Sequence, residues 1–300
     1  MKHFEKCPNP NCPTNKSQAI NFIVWDDGKK FYIKKGYYKT KHNHQPVPRY
    51  QCKHCKVTFS THTFRETKNQ KKPHINEQAF KLISSGVTLR RAAKILGVAK
   101  KTIERKFEFI SRLAKEAHEE FLKKEVNKTS YVQFDEMETY EHTKCKPLSI
   151  SLAVRAKNGD IIDAQVALMR CKGKLAPISR AKYPYWNRDN RNSTTQRVMR
   201  SVKKVSKKFI TVACDAKRVY PSLVQKIIPN AEVLQFASRK SMIKDDPLFR
   251  LNHTAAKVRA DLSRMRRKTW ATTKRLENLQ KHLYIYIAWN NKYSIGWNYS

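Results

Sequence analysis

Three hundred residues are enough for a large apolar core and for two or three domains. Lys and Arg number 63 against 24 Asp and Glu, a net +39 at pH 7 spread along the chain, and interleaved Tyr, Phe and Trp suit nucleic acid better than a membrane surface. No apolar run approaches the ~18 residues of a membrane span, and Met1–Lys30 has no basic-then-apolar signal pattern, so a cytoplasmic, nucleoid-associated protein is expected.

Seven cysteines, an odd number, argue against a disulfide framework and for metal ligands plus free thiols. Cys7 and Cys12 form a C-x4-C, Cys52 and Cys55 a C-x2-C, with 39 residues between the pairs. Two thiolate pairs on tight knuckles complete a tetrahedral Zn²⁺ site and leave no position open for substrate, so the expected zinc is structural. Pro8, Pro10 and Pro13 favour turns around the first pair, and Tyr50-Gln51-Cys52 reads as a strand entering the second knuckle. Asn21–Trp25 and Lys30–Ile33 flank Asp26-Asp27-Gly28 as a hairpin. His42 and His44 are expected to face solvent or phosphate rather than metal. The reading is a zinc ribbon with a hairpin insertion over residues 1–68; the alternative is four unrelated buried cysteines.

After a polar, basic connector at His62–Pro73, Ile75–Phe109 reads as helices broken at Gly86 and Gly97. Leu89–Ile103 fits a helix-turn-helix: Ala93 is small where two helices touch, Gly97 supplies the turn, and Val98 and Ile103 pack back. The second helix would then offer Lys100, Lys101, Thr102, Arg105 and Lys106 to a major groove. An ordinary helical hairpin is the competing reading. Phe107, Ile110, Ala114, Ala117 and Phe121 continue at helical spacing, which makes residues 74–127 a DNA-binding and linker segment.

From residue 128 the pattern changes to strands at Tyr131–Tyr140, Leu148–Arg155 and Ile161–Met169, with Asn158-Gly159 as a hairpin turn. A helix at Ser193–Lys208, a strand at Phe209–Cys214, a helix at Tyr220–Ile228 and a strand at Ala231–Phe236 follow. Three strands, then alternating helix and strand, predict a mixed sheet with helices on its faces. Asn252–Lys274, with seven Lys and Arg and one acid, reads as an amphipathic helix burying Val258, Leu262 and Met265 and placing Asn252 and Arg259 two turns apart on one face. A basic surface helix capped at Asn252 is the alternative. Asp135 lies within the first of these strands and Asp215 directly follows the fourth. Carboxylates at the ends of neighbouring strands can share a divalent cation, although either alone reads equally as a solvated edge residue or a turn cap. The Tyr183-Pro184-Tyr185-Trp186 segment suits either a loop packed on the core or a platform for an unpaired base.

These residues resemble a family. Asp135-Glu136-Met137, Asp215 and, on what reads as a basic final helix, Arg259, Leu262, Arg264, Arg267-Lys268-Thr269 and Thr273-Lys274 look like the catalytic domain of DDE transposases, closest to those of insertion sequence one and its relatives. The order zinc ribbon, helix-turn-helix, catalytic domain extends the likeness over nearly the whole chain. The resemblance implies a multidomain α+β protein whose residues 128–300 form an RNase H-like mixed-sheet domain. It implies an enzyme that binds transposon ends, nicks DNA with Mg²⁺ or Mn²⁺ and joins the freed 3′-hydroxyl to target DNA, as a homo-oligomer assembled on that DNA. Asp135, Asp215 and Asn252 would hold the divalent ions, and Arg259 and Lys268 would grip phosphate. One departure stands out: Asn252 falls where a glutamate is usual, and an amide oxygen brings no charge. Glu232, Asp245, Asp246 and Asp261 are substitutes to weigh, with Glu136 and Glu138 if the strand register differs.

Overall fold

The computed structural model describes residues 4–16, 30–39, 46–186, 188–237, 246–266 and 269–296. The chain divides into two compact units, Met1–Asn76 with Gly296–Ser300, and Glu77–Ile295. Among the described residues no helix is long and apolar enough to cross a membrane.

In the first unit a short helix α1 (Pro13–Lys16) precedes β1 (Tyr32–Lys39), β2 (Pro46–Cys52) and β3 (Thr58–Ser60), an antiparallel sheet in that order. Cys52 ends β2, as the sequence predicts, and its N–H closes the second knuckle on Val57 O at 3.0 Å. The hairpin expected at residues 26–28 lies outside the described residues, as do His42 and His44; Tyr32 and Ile33 instead pair with Cys52 and Gln51. The core is small: three of the four cysteines are buried beside Tyr32 and Phe59, and Phe4 meets Tyr32, Tyr50 and Phe59 edge-on at 5.0–5.2 Å between ring centres.

The second unit opens with three helices, α2 (Asn76–Ser84), α3 (Leu89–Ile95) and α4 (Lys100–Lys124). Thr88 caps α3 by accepting the Arg91 N–H at 3.3 Å, and Gly97 turns the chain at φ +58°, a conformation that disfavours a side chain. Ala92, Ala93 and Ile103 are buried where α3 meets α4. The second expected helix and the linker helix are one continuous 25-residue helix, which packs along α9 (Leu276–Asn290).

β4 (Thr129–Tyr140), β5 (Pro147–Arg155) and β6 (Ile161–Leu168) run antiparallel in sequence, while β7 (Ser206–Asp215) and β8 (Ala231–Phe236) lie parallel on the far side of β4. The mixed sheet therefore has the order β6-β5-β4-β7-β8. Gly159, at φ +77°, makes the turn between β5 and β6. On one face α6 (Arg191–Val205) and α7 (Tyr220–Gln225) bury Val198, Met199, Val202 and Val224 against Phe134, Val212 and Cys214. The other face packs Ile150, Leu152 and Ala213 against α8 (Phe249–Asp261) and α9. With helices on both faces, β5 is buried through almost its entire length. A short α5 (Ala176–Lys182) leads into Tyr183–Trp186.

Two expectations are corrected here. The helix predicted over Asn252–Lys274 spans only Phe249–Asp261: Leu262 adopts an extended backbone (φ −92°, ψ 111°). Leu262 and Met265 are buried in the same core as Val258, so core burial rather than helical period sets their spacing. The final helix α9 lies further on and has a broad apolar surface in Leu279, Leu283, Tyr286 and Ile287.

Candidate functional site

The four thiols form one cluster. Cys7 Sγ lies 3.5 Å from Cys55 Sγ and Cys12 Sγ 3.7 Å from Cys52 Sγ, and all four ligand atoms lie within 4.8 Å of one another. Thiolates at about 2.3 Å from a tetrahedral zinc stand about 3.8 Å apart, so the donor set and its spacing fit a metal such as zinc. The first knuckle is tied by Asn15, which accepts the Cys7 N–H at 3.0 Å and donates to Cys7 O at 3.0 Å and Asn9 O at 2.7 Å. Thr14 donates to Cys12 Sγ at 2.9 Å, which favours the thiolate there. Among the described residues this is the only group of three or more His, Cys, Asp or Glu close enough to share an ion.

The second site lies where the C-terminal end of β7 adjoins the middle of β4. These central strands pair in parallel with Phe134 opposite Cys214, which makes Asp135 and Asp215 the next residues on adjacent strands. Alternation along the strands turns both towards the face that α8 covers, since their neighbours Phe134 and Cys214 are buried against α6 and α7. Burial holds the Asp135 carboxyl above its ordinary pKa, and the Asp215 charge adds to the rise. Tyr220, in the first turn of α7, donates its hydroxyl to Asp135 Oδ1 at 3.3 Å. Two half-buried carboxylates that repel one another form a donor set suited to a divalent cation.

The start of α8 is fixed beside this strand end. Gln133, two residues before Asp135 on the same face, accepts the Leu251 N–H at 2.8 Å and donates to Pro247 O at 2.7 Å. Asn252 is the next residue on α8; it is exposed and donates its Nδ2 to Asp246 Oδ2 at 2.7 Å. That bond leaves the amide oxygen available as a ligand. The Asp246 carboxylate is itself held by the Leu248 N–H at 2.9 Å.

Other acids are engaged elsewhere. Glu136 accepts from Thr195 at 3.2 Å and Lys217 at 2.8 Å on the α6 face, Glu138 pairs with Lys172 at 3.6 Å, and Asp261 accepts from Tyr286 at 3.0 Å. Glu232 is level with Thr211, four positions along the sheet from Asp215, and Asp245 lies outside the described residues. Trp186 is buried and donates to Pro147 O at 3.3 Å, while Lys146 Nζ sits 4.8–5.3 Å from the Tyr183, Tyr185 and Trp186 rings, so this segment packs on the domain.

Of the cations expected to meet DNA, Lys100, Lys101 and Arg105 are exposed at the start of α4 and Thr102 is half-buried. Lys100 and Lys101 share Glu104 at 3.2 and 3.7 Å. Lys106 is corrected: it is buried, at 4% exposure, and burial pushes its pKa down to about 8. It follows Ile103 by three residues and precedes Ile110 by four, so the helical period carries it onto the buried stripe. Arg259 is half-buried on α8, and Lys268 lies outside the described residues. Gln133 and Tyr220 were not foreseen; period-two alternation from Asp135 was the available signal for Gln133. No protein-family model matches this chain, and neither does any curated protein.

Proposed function

We propose that this chain is a metal-dependent DNA transposase of the Asp-Asp-Asn kind, built from a zinc ribbon, a helix-turn-helix and an RNase H-like catalytic domain. The observation that carries the reading is the placement of Asp135 and Asp215 side by side on the central parallel strands, with the start of α8 pinned next to them through Gln133. The strand order β6-β5-β4-β7-β8 supports it, as does the excess of 39 positive charges.

In this reading Asp135, Asp215 and the Asn252 amide oxygen hold divalent ions, Mg²⁺ or Mn²⁺, which supply a stronger oxygen nucleophile and neutralise charge on the leaving 3′-oxygen. The residues of the chain orient the phosphodiester and hold its charge. Water attacks the phosphorus at the transposon end, the P–O3′ bond breaks, and the freed 3′-hydroxyl then attacks a target phosphodiester, losing its proton as the target 3′-oxygen leaves. Tyr220 holds Asp135 in place, and Asp246 turns the Asn252 amide so that its oxygen is available. Lys100, Lys101 and Arg105 offer charge to the DNA from the start of α4. The cysteine cluster holds structural Zn²⁺.

The test is a Mg²⁺- or Mn²⁺-dependent nicking and joining assay on DNA carrying the ends of the element. Cleavage and joining by the native chain, lost in Asp135→Ala, Asp215→Ala and Asn252→Ala, supports the reading. Tight end binding without cleavage at any divalent concentration would make the chain a DNA-binding regulator instead, a reading favoured by the uncharged third position.

A further inference from the structure

Beyond the carboxylate pair, β4 runs on to Tyr140 and borders a cleft of about 490 Å³ lined by Lys144, Arg259, Arg264 and Arg266, with Glu138 at its edge. The one acid among these is exposed and engaged with Lys172 at 3.6 Å. The cleft is therefore strongly positive, and two of its guanidinium groups are held from behind.

Arg264 donates its Nε to His282 Nδ1 at 3.2 Å and lies over the Phe107 ring, 5.1 Å from its centre. His282 is fully buried on α9 and its Nε2 lies 3.0 Å from Ile83 O. A carbonyl can only accept, so the proton sits on Nε2, and Nδ1 is left as the acceptor that Arg264 needs. Burial, and then the Arg264 charge, hold the imidazole down to about 3, so it stays neutral at neutral pH. Arg264, pushed down to about 10 by burial, stays charged. Glu108, whose charge favours the protonated guanidinium, is itself held by Lys281. Among the described residues no carboxylate pairs with Arg264. Arg266 is also fixed: its Nε donates to Ala260 O at 3.0 Å and its guanidinium lies against Gly86, where a Cβ would come within 2.3 Å.

A guanidinium withdrawn from water without a counter-carboxylate is costly. Held by a neutral acceptor and an aromatic face while lining a basic cleft, it is prepared for an anion from solution. The planar fork of arginine matches the oxygens of a phosphate. We infer that this cleft is a phosphate-binding site in which Arg264, positioned by His282, is the central ligand and Arg259, Arg266 and Lys144 add charge. The group recognised is a phosphate, carried either by a nucleic-acid backbone or by a free phosphate compound; its nucleic-acid source rests on the reading proposed above.

The full chain decides the matter in two measurements: the melting temperature in inorganic phosphate against chloride at matched ionic strength, and duplex DNA affinity over a salt series. Phosphate stabilises the native chain and not Arg264→Gln, and Arg264→Gln weakens duplex binding about tenfold with a salt slope smaller by about 1. Loss of the phosphate response with unchanged duplex binding keeps the site and assigns it to a free phosphate compound. No phosphate response in the native chain, with equal duplex binding by both proteins, overturns the proposal. If Arg264→Gln does not fold, Lys144→Gln on the exposed rim shows the same losses at smaller size, and no loss overturns it. Native responses that persist in a cleavage-dead Asp135→Ala chain separate this site from the catalytic reading.

Discussion

The two compact units are held together by opposite means. In the first, the core among the described residues is a cysteine cluster edged by a few aromatic rings, beside a three-stranded sheet. In the second, a five-stranded sheet carries a buried apolar layer on each face. A small unit with a thin apolar core needs a staple, and four cysteines close enough to hold a metal ion such as zinc could supply one. The larger unit, with an apolar layer on each face, is where half-buried like charges and the Arg264 guanidinium, held by a neutral imidazole, are found.

The sharpest break in that comparison comes from removing the metal. Chelation, or Cys52→Ser, is expected to unfold the first unit completely and leave the second unchanged, because metal binding and folding are one equilibrium for such a site. Two-wavelength melting, with hydrogen exchange to assign each transition, checks it; joint loss of both units would contradict the comparison. The converse is Leu152→Ala, which empties the middle of β5 and should cost the second unit about 2–5 kcal/mol without altering cobalt substitution spectra at the cysteines.

A smaller effect follows from His282. Its folded pKa lies below the ordinary value of 6.5, so its contribution is fully present above pH 6.5 and is lost as pH falls from there towards 3. The acid-induced drop in melting temperature between pH 7 and 5 should shrink in His282→Gln; an equal drop in both proteins would refute this role. The smallest change runs the other way. Asp135→Asn removes a half-buried charge facing Asp215 and is expected to stabilise the second unit by about 1 kcal/mol, roughly 2–4 °C in melting temperature. Destabilisation in a calorimeter would contradict the repulsion argued at that strand end.

Much of this arrangement was legible in the sequence because it depends on short-range patterns. The cysteine spacings, the strand entering Cys52, the turns at Gly97 and Gly159 and the two aspartates after apolar strand residues are all local. The errors arose where distant packing overrides local pattern. Leu262 and Met265 keep the helical spacing of Val258, yet the chain leaves the helix at Leu262 to bury them. Lys106 looked like part of a basic surface because its charge outweighed its place on the Ile103–Ile110 stripe. The packing partner that buries that stripe, α9, is more than 150 residues away in the sequence. Gln133 and Leu251, and likewise Arg264 and His282, meet across different elements, and no spacing in the chain marks them as partners.

The most direct test of the central claim is a Mn²⁺ titration of the zinc-loaded chain followed by electron paramagnetic resonance. The account predicts binding by the native protein that is lost in both Asp135→Asn and Asp215→Asn and persists in Glu136→Gln, whose carboxylate faces α6. Equal Mn²⁺ binding by all four proteins would show that the two aspartates do not form a metal site.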